Sequence, residues 1–256
     1  MHTLKRTVLV TGASSGIGRA VAQHLLQLGH AVIGVSRDCS QFSQGIANFS
    51  ALELDLSDLK VIPHKIRELQ KICPELDAVV FSAGIGQFGS LEEFSYAQIE
   101  ALINLNFTSQ VFLSKALLPN LKRKAHSDLI YIGSEAALKG SRKGAIYCAS
   151  KFALRGFTQA LREESANSKV RVCLINPGMV KTNFFNDLNF EPGDHESQAI
   201  LPEDIAATVA YVLSSRAPIV IDEINLSPLN KVIKFKKTDS STLSIPSPNG
   251  KANSIK

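Results

Sequence analysis

A tyrosine and a lysine four residues apart, Tyr147 and Lys151, are the side chains in this sequence best suited to chemistry. They open a stretch with helical spacing, so we expect both on one helix face, one turn apart. A free phenol has a pKa of about 10, and lowering it to about 7 takes roughly 4 kcal/mol of phenolate stabilisation. An ammonium at about 4 to 5 Å supplies energy of that order at an effective dielectric of about 20. The pair therefore predicts a general acid or base that acts on a carbonyl or alcohol oxygen.

Ser134 follows an apolar run at residues 129–132 that has the composition of a buried strand. A hydroxyl at the carboxyl end of that strand could reach the same substrate oxygen as Tyr147. A Tyr-x-x-x-Lys pair alone is usually a surface helix pair, so its interpretation depends on the elements around it. Cys148 is either a reactive thiol or a packed side chain, and we favour packing.

A second pattern lies near the N-terminus. A β-rich apolar run at residues 7–10 leads into Thr11-Gly12-Ala13-Ser14-Ser15-Gly16-Ile17-Gly18 and then into apolar residues at helical spacing. With the next apolar run, residues 31–35, these make a β-α-β unit. Glycines let the backbone approach a diphosphate at a helix N-terminus, where free N–H groups favour anions. The order Gly-x-x-x-Gly-x-Gly differs from the commonest dinucleotide fingerprint, and a turn that merely needs glycine is the alternative.

Strands and helices alternate through the rest of the chain. We expect further strands at 51–54, 76–82, 129–132, 170–175 and 219–226, and helices at 59–72, 96–122, 147–167 and 202–213. The predicted fold class is α/β, a Rossmann-like doubly wound parallel sheet of about seven strands flanked by helices, in one domain over residues 1–230. Ligands then bind at the carboxyl ends of the strands.

Charge is concentrated at the C-terminus. The 256-residue chain has a formal charge of +5, and residues 231–256 hold six lysines and one acid, so residues 1–230 sum to zero. This composition predicts a polar basic tail, flexible from about residue 236, and no nucleic-acid partner. Cysteines without metal-like spacing, no secretory pattern and no apolar run of about 20 residues predict a cytoplasmic protein without a metal site or membrane contact.

With these motifs in order, the sequence resembles the short-chain dehydrogenase/reductase family, in its single-domain branch of about 250 residues. The likeness runs from about residue 5 to 228. It is carried by Thr11-Gly12-x-x-x-Gly16-x-Gly18, Asp55, Ser82-Ala83-Gly84, Asn106, Ser134, Tyr147-x-x-x-Lys151 and Asn176-Pro177-Gly178 with Thr182. The resemblance implies an oxidoreductase that moves hydride between a nicotinamide cofactor and a carbonyl or secondary alcohol carbon.

By that resemblance, Tyr147 is the acid/base, Lys151 lowers its pKa and holds the nicotinamide ribose, and Ser134 orients the substrate oxygen. Asn106 holds a water that links Lys151 to solvent. Asn104 lies two residues earlier and competes for that role, and a solvated helix residue is the alternative for either asparagine.

The resemblance also implies a set of cofactor contacts. They are Gly12, Ser14, Ser15, Gly16, Ile17, Gly18, Arg37, Asp55, Leu56, Ser82, Ala83, Gly84, Tyr147, Lys151, Pro177, Gly178, Val180 and Thr182. Asp55 would accept a hydrogen bond from the adenine amino group, or could simply cap the next helix. Phe81 and Ser82 replace asparagines that the family often has, which removes a brace of the central sheet.

Cofactor choice depends on the end of the second strand, where an acid would bind the ribose hydroxyls of NAD(H). Here Ser36 is followed by Arg37, whose guanidinium suits a 2′-phosphate. We therefore favour NADP(H). NAD(H) remains possible, because Asp38 is adjacent and Arg37 could be an ordinary surface residue.

Residues 183–200 are expected to form a substrate lid. Its phenylalanines, Phe184, Phe185 and Phe190, either wall an apolar pocket or seal the lid onto the core. The helices at 96–122 and 147–167 predict a homodimer or homotetramer, although the C-terminus lacks the family's Asp-Gly-Gly turn. A non-catalytic dinucleotide-binding redox sensor or partner protein is the alternative to an enzyme.

Overall fold

The computed structural model describes residues 5–38 and 46–236. Its strands, in chain order, are β1 (Thr7–Thr11), β2 (Ala31–Ser36), β3 (Phe49–Glu53), β4 (Ala78–Phe81), β5 (Ser127–Ile132), β6 (Val170–Pro177), β7 (Phe190–Pro192), β8 (Glu223–Leu226) and β9 (Ile233–Phe235). Seven of them form one parallel sheet in the order β3-β2-β1-β4-β5-β6-β8. The short strands β7 and β9 pair with each other in antiparallel fashion.

Helices cover both faces of the parallel sheet. They are α1 (Gly16–Gln27), α2 (Ile62–Ile72), α3 (Tyr96–Ile103), α4 (Ser109–Leu121), α5 (Ala145–Ser165) and α6 (Pro202–Ser214). In the part of the chain that the structure describes, no helix is long and apolar enough to span a membrane.

Side-chain alternation along the strands explains the two layers. In β1, Val8 and Val10 face α1 and α6, while Leu9 faces the opposite layer with α2, α4 and α5. All three side chains are fully buried. Strands buried on both faces are the usual state of a parallel sheet, and here they bring their carboxyl ends to one edge.

The central sheet is braced without the asparagines that the family often carries. Phe81 of β4 stacks on Tyr131 of β5, with ring centroids 4.2 Å apart. At the end of β1, the Thr11 hydroxyl accepts hydrogen bonds from the N–H groups of Ser82 at 2.9 Å and Ala83 at 3.1 Å. Ring stacking and the Thr11 hydroxyl therefore connect these strand ends, where the family often has asparagines.

Three predicted elements differ in the structure. The expected helix at 96–122 is interrupted by a π-helical turn, Asn104–Thr108, between α3 and α4. The last strand of the sheet begins at Glu223 and not near residue 219. The polar segment expected from residue 231 joins the fold through residue 236, because β9 pairs with β7; residues 237–256 lie outside the described residues.

Candidate active site

Tyr147 and Ser134 meet at the carboxyl edge of the sheet. Tyr147 lies in the first turn of α5, and Ser134 follows β5 directly. The Ser134 hydroxyl lies near enough to the phenol to lower its pKa, and it accepts a hydrogen bond from the N–H of Ala136 at 3.1 Å. A strand end and a helix start, separated by a short loop, therefore bring both hydroxyls to one point.

Asn176 of β6 fixes the main chain at Ser134. Its Oδ1 accepts from the Ser134 N–H at 3.3 Å, and its Nδ2 donates to Glu223 and Asn225 of β8. The neighbouring Gly133 is required there, because a Cβ at that position would collide with the Asn176 amide. The sequence analysis quoted Asn176 only as part of a motif and missed this positioning contact, which joins residues far apart in sequence.

Burial dominates the proton affinity of Tyr147. The side chain is 7% exposed, and burial raises its pKa to about 12, although the hydrogen bond from Ser134 lowers it. Lys151 is not among the groups that shift this pKa in the structure, so its predicted lowering of the Tyr147 pKa stays a prediction. The Lys151 Nζ lies 5.9 Å from the centre of the phenol ring and donates to the main-chain carbonyl of Ile132 at 3.1 Å.

Lys151 is itself buried, and that burial lowers its pKa to about 8. With a pKa of about 8, Lys151 is protonated at neutral pH and loses its proton as the pH rises above about 8. The helix spacing correctly predicts that Lys151 and Tyr147 share one side of α5, but it does not predict which way the ammonium points.

Asn106 lies in the π-helical turn and is completely buried. Its Oδ1 accepts from the Ile85 N–H and its Nδ2 donates to the Ile85 carbonyl, both at 2.9 Å. The Nδ2 also contacts the Ser150 hydroxyl at 3.3 Å, and that hydroxyl donates to the carbonyl of Tyr147. Asn106 therefore links the loop after β4 to the active-site turn of α5, and it is not a solvated helix residue.

The glycine loop forms a close backbone cradle after β1. Gly12 and Gly16 have φ angles of 70° and 52°, a region that favours glycine. A Cβ on Gly12 would lie 3.1 Å from the Ala83 Cα, and one on Gly18 would collide with the Gly12 carbonyl. The glycine loop and the turn after β4 therefore lie so close together that a side chain at Gly12 would crowd the backbone of Ala83.

The start of α1 is open to an anion. Its N-cap, Ser15, makes no side-chain capping hydrogen bond, so the first N–H groups of the helix, which include those of Ile17 and Gly18, remain available to a bound phosphate. Ser14 precedes the N-cap and is exposed. These features fit a cofactor diphosphate at this helix end.

Arg37 and Asp55 lie at the ends of neighbouring strands, after β2 and β3, and both are exposed. Hydrogen bonds from the N–H and hydroxyl of Ser57 lower the pKa of Asp55, and the charge of Arg37 adds to this effect. Asp55 therefore closes a turn at Ser57 and does not cap α2, which begins at Ile62. The adjacent Leu56 side chain is buried in the core.

The segment after β6 faces the glycine loop from the other side. The Gly178 N–H donates to the Leu226 carbonyl of β8 at 2.8 Å, and Val180 pairs with Ile200 across the base of the lid. The Thr182 side chain lies 3.5 Å from where a Cβ on Gly16 would be. Pro177 ends β6. The structure thus brings the segments predicted to hold the cofactor to one edge of the sheet.

The lid lies over Tyr147 through aromatic contacts. The ring centroid of Phe184 is 6.0 Å from that of Tyr147, and Phe88, from the loop after β4, is 5.0 Å away. Phe190 packs edge-on against Phe88. Phe185 is 8% exposed and packs against both lid phenylalanines. Phe185 thus seals the lid, while Phe184 remains on the side that faces Tyr147.

A C-terminal strap, residues 230–236, holds the lid from outside. In β9, Phe235 pairs with Phe190 of β7. The Lys236 Nζ donates to the main-chain carbonyls of Phe185 at 2.5 Å and Asn186 at 2.9 Å. The sequence analysis missed this strap because its lysines and polar neighbours have the composition of a tail.

A cleft of about 480 Å³ opens beside Tyr147, between the loop after β4 and the lid. Its lining includes Phe88 and Phe184, whose rings contact the Tyr147 ring. A pocket of this size, with aromatic walls and a few polar groups, is typical of small-molecule sites.

Comparisons with known proteins agree with this fold. The profile of the short chain dehydrogenase family matches residues 6–192. An NADP-dependent 3-hydroxy acid dehydrogenase from Schizosaccharomyces pombe is 30% identical over 241 residues, which cover 87% of this chain and 92% of the relative. Sepiapterin reductase from Chlorobaculum tepidum is 30% identical over 243 residues, covering 88% and 97% of the two chains.

Solved structures give the same picture. An alcohol dehydrogenase from the archaeon Thermococcus sibiricus, complexed with 5-hydroxy-NADP, is 26% identical with a TM-score of 0.79, covering 89% of this chain and 99% of its own. A metagenomic short-chain oxidoreductase in complex with NADP is 28% identical with a TM-score of 0.76, covering 90% and 100%.

The parallel sheet, flanked by helices, defines a Rossmann-like α/β protein. The chain belongs to the short-chain dehydrogenase/reductase family. It is thus a member of a family of oxidoreductases that act on CH–OH or C=O groups, and NADP-bound structures are among its neighbours. The predicted family and fold class are confirmed.

Proposed function

We propose that this protein is an NADP(H)-dependent oxidoreductase that interconverts a carbonyl and a secondary alcohol, with Tyr147 as acid/base. The observation that carries the proposal is the placement of Tyr147 in the first turn of α5 and of Ser134 directly after β5, at the carboxyl edge of the sheet beside the glycine loop, where Ser134 lowers the Tyr147 pKa. The cofactor, when bound, supplies or accepts the hydride. The protein's own residues hold the reactants and move the proton.

Tyr147 is the proposed proton donor in carbonyl reduction. With a pKa of about 12, its phenol is protonated at neutral pH and can donate to the oxygen that becomes the alcohol. Ser134 would donate its hydroxyl hydrogen to the same oxygen and hold it in line.

Lys151 and Asn106 have supporting roles in the proposal. The Lys151 ammonium, already at the Ile132 carbonyl, would hold the nicotinamide ribose. Asn106 would hold a water through which the site regains its proton. This role is supported by its full burial and its contact with Ser150, the residue before Lys151.

The cofactor contacts are proposed along the sheet edge. The loop from Gly12 to Gly18 would hold the diphosphate, and Ser82 to Gly84 would lie along the ribose. Asp55 and Leu56 would meet the adenine, and the segment from Pro177 to Thr182, with Val180, would meet the nicotinamide amide. Support comes from the cradle that a Cβ would fill and from the open start of α1.

Arg37 is the proposed reader of the NADP(H) 2′-phosphate, because it is exposed at the end of β2 and its planar guanidinium suits phosphate. Titration by nicotinamide fluorescence tests this choice. We expect the wild type to bind NADPH more tightly than NADH, and Arg37→Ala to erase the difference. Equal affinity of the wild type for NADPH and NADH would mean that groups other than Arg37 bind the adenosine ribose.

Hydride transfer separates the enzyme from the alternative of a non-catalytic redox sensor. We expect deuterium from NADPH labelled at the nicotinamide carbon that donates hydride to appear on the carbinol carbon of a reduced carbonyl. Tight NADPH binding with no label transferred to any carbonyl in a broad panel would favour the sensor.

We further propose a cytoplasmic homodimer or homotetramer that associates through α3, α4 and α5.

A further inference from the structure

We propose that the cleft beside Tyr147 selects a neutral or cationic carbonyl compound with hydrogen-bond donors on an apolar body, and disfavours carboxylates, phosphates and sulfonates. This proposal rests on the proposed function, since it names the substrate class of the same site. It also separates this chain from relatives named for acidic substrates.

The cleft adjoins the proposed reacting centre through two of its lining rings. Phe88 and Phe184 form its inner wall and contact the Tyr147 ring at 5.0 and 6.0 Å. Ile85, Phe94 and Leu188 continue this apolar surface. A substrate whose carbonyl reaches Tyr147 therefore lays an apolar body against these side chains.

The polar groups of the cleft are hydrogen-bond acceptors or amides. Carboxylates come from Glu93 on the loop side and Asp187 on the lid side, and amides from Gln87, Gln98 and Asn183. Among the described residues that line it, none is a lysine, arginine or histidine. Two negative charges without a lining cation repel an anion and attract a cation or a donor hydroxyl.

One acceptor in the lining lacks a partner. The Gln87 Oε1 is buried and receives no hydrogen bond from the described protein residues. A buried acceptor left unpaired costs free energy, so a ligand N–H or O–H that reaches it is favoured. Glu93 is turned toward the loop, where its Oε2 accepts from the Ser90 N–H at 2.8 Å.

A matched set of aldehydes tests the selection. Wild-type enzyme is assayed with NADPH on para-formylbenzamide, para-formylbenzoate and para-formylbenzyl-trimethylammonium, which share one reacting group and one ring. We expect kcat/KM to be lowest for the benzoate, by about tenfold relative to the benzamide, with the gap shrinking at high salt. A benzoate that reacts as well as the benzamide or better would overturn the proposal.

Charge-removing variants locate the effect. Glu93→Gln and Asp187→Asn should each raise kcat/KM for the benzoate about threefold relative to that for the benzamide, whereas Glu92→Gln, an exposed neighbour outside the lining, should leave this ratio unchanged. Equal changes for all three aldehydes would contradict a role of charge in selection.

A binding measurement keeps this test independent of catalysis. Ligand-observed NMR on NADPH-loaded protein compares para-methylbenzamide with para-methylbenzoate, two ligands of one shape that have no ketone or aldehyde group to reduce. Preference for the amide that Asp187→Asn diminishes supports the cleft assignment even if no aldehyde turns over, a result that would count against the proposed function alone. Preference for the benzoate would overturn the assignment.

Discussion

The Lys236 ammonium donates to the main-chain carbonyl of Phe185, so the strap that ends the described chain is hydrogen-bonded directly to the lid. Phe185 in turn packs against Phe184, whose ring contacts Tyr147. The strap is thus linked to the proposed proton donor through one hydrogen bond and two ring contacts.

Lys236→Met should loosen the lid without affecting the cofactor site. We expect KM for the carbonyl substrate to rise about three- to tenfold, since a charge-assisted hydrogen bond at a partly exposed site is lost. NADPH affinity should stay constant. Steady-state kinetics and fluorescence titration measure the two quantities, and Lys122→Met, exposed on the helix surface, is the control. An unchanged KM, or an equal loss of NADPH affinity, would refute the role of the strap.

Gly86→Ala should disturb the cleft from the loop side. A Cβ there would enter the ring of Phe184, so that ring must move away from Tyr147. We expect kcat/KM to fall about tenfold, with a stability loss of about 1 to 3 kcal/mol from overpacking. Gly156→Ala in α5 is the matched control, because nothing lies within 4 Å of its added methyl. It should stabilise the helix by about 0.5 to 1 kcal/mol in urea unfolding. Similar kinetics for both variants would contradict the contact.

Asp128→Asn should destabilise the fold at the edge opposite the site. Asp128 pairs with Arg6 at 3.0 Å and Arg171 at 2.7 Å, all three side chains being buried. Burial raises the Asp128 pKa, but hydrogen bonds from His126 and Arg171 and the nearby arginine charges outweigh it and hold the pKa below its usual range.

Removing that charge leaves the buried Arg171 guanidinium without its carboxylate partner and leaves Arg6 with Asp77 alone, so we expect a loss of about 3 to 5 kcal/mol in urea unfolding at pH 7. Because the folded pKa is depressed, the stabilisation is present above about pH 4 and is lost as the pH falls through the folded value. The wild-type advantage over Asp128→Asn should therefore shrink in acid. Glu164→Gln, exposed on α5, should cost under about 0.5 kcal/mol. A pH-independent difference would contradict this account.

Lys151 predicts a pH dependence of the same sign in a different pH range. Its folded pKa is about 8 against 10.5 for the ordinary side chain, so between these values the unfolded chain binds the extra proton and stability rises with pH. The free energy of unfolding of wild type minus that of Lys151→Met should rise by up to about 3 kcal/mol from pH 8 to 10.5. Taking the difference between the two proteins cancels the contributions of other buried groups that titrate in this pH range. A flat difference would mean that Lys151 is not held in a desolvating site.

The local parts of the site could be predicted from the sequence. The spacing of Gly12, Gly16 and Gly18 between a strand and a helix predicts the cradle, and four-residue spacing predicts Tyr147 and Lys151 on one side of α5. Ser134 comes into reach because its strand end and the start of α5 are close in the chain. Each of these inferences depends on the spacing of residues within one element or on a short connection between neighbouring elements.

The remaining features depend on contacts between distant segments. No local pattern requires the π-helical turn that directs Asn106 to Ile85, the Asn176–Ser134 contact or the β7–β9 pairing. The strand β9 is short and exposed, with lysines between its apolar residues, so its composition predicts a tail. The Lys151 ammonium points to the main-chain carbonyl of Ile132, which only the folded sheet brings near.

The most direct test of the central claim is turnover by Tyr147→Phe, measured as NADPH oxidation with a reducible carbonyl, alongside NADPH binding by fluorescence titration. If Tyr147 donates the proton, kcat should fall about a hundred- to ten-thousandfold. The dissociation constant for NADPH should change little, because the cradle at Gly12 to Gly18 is untouched. Turnover close to that of the wild type would contradict the assignment of Tyr147 as the acid/base.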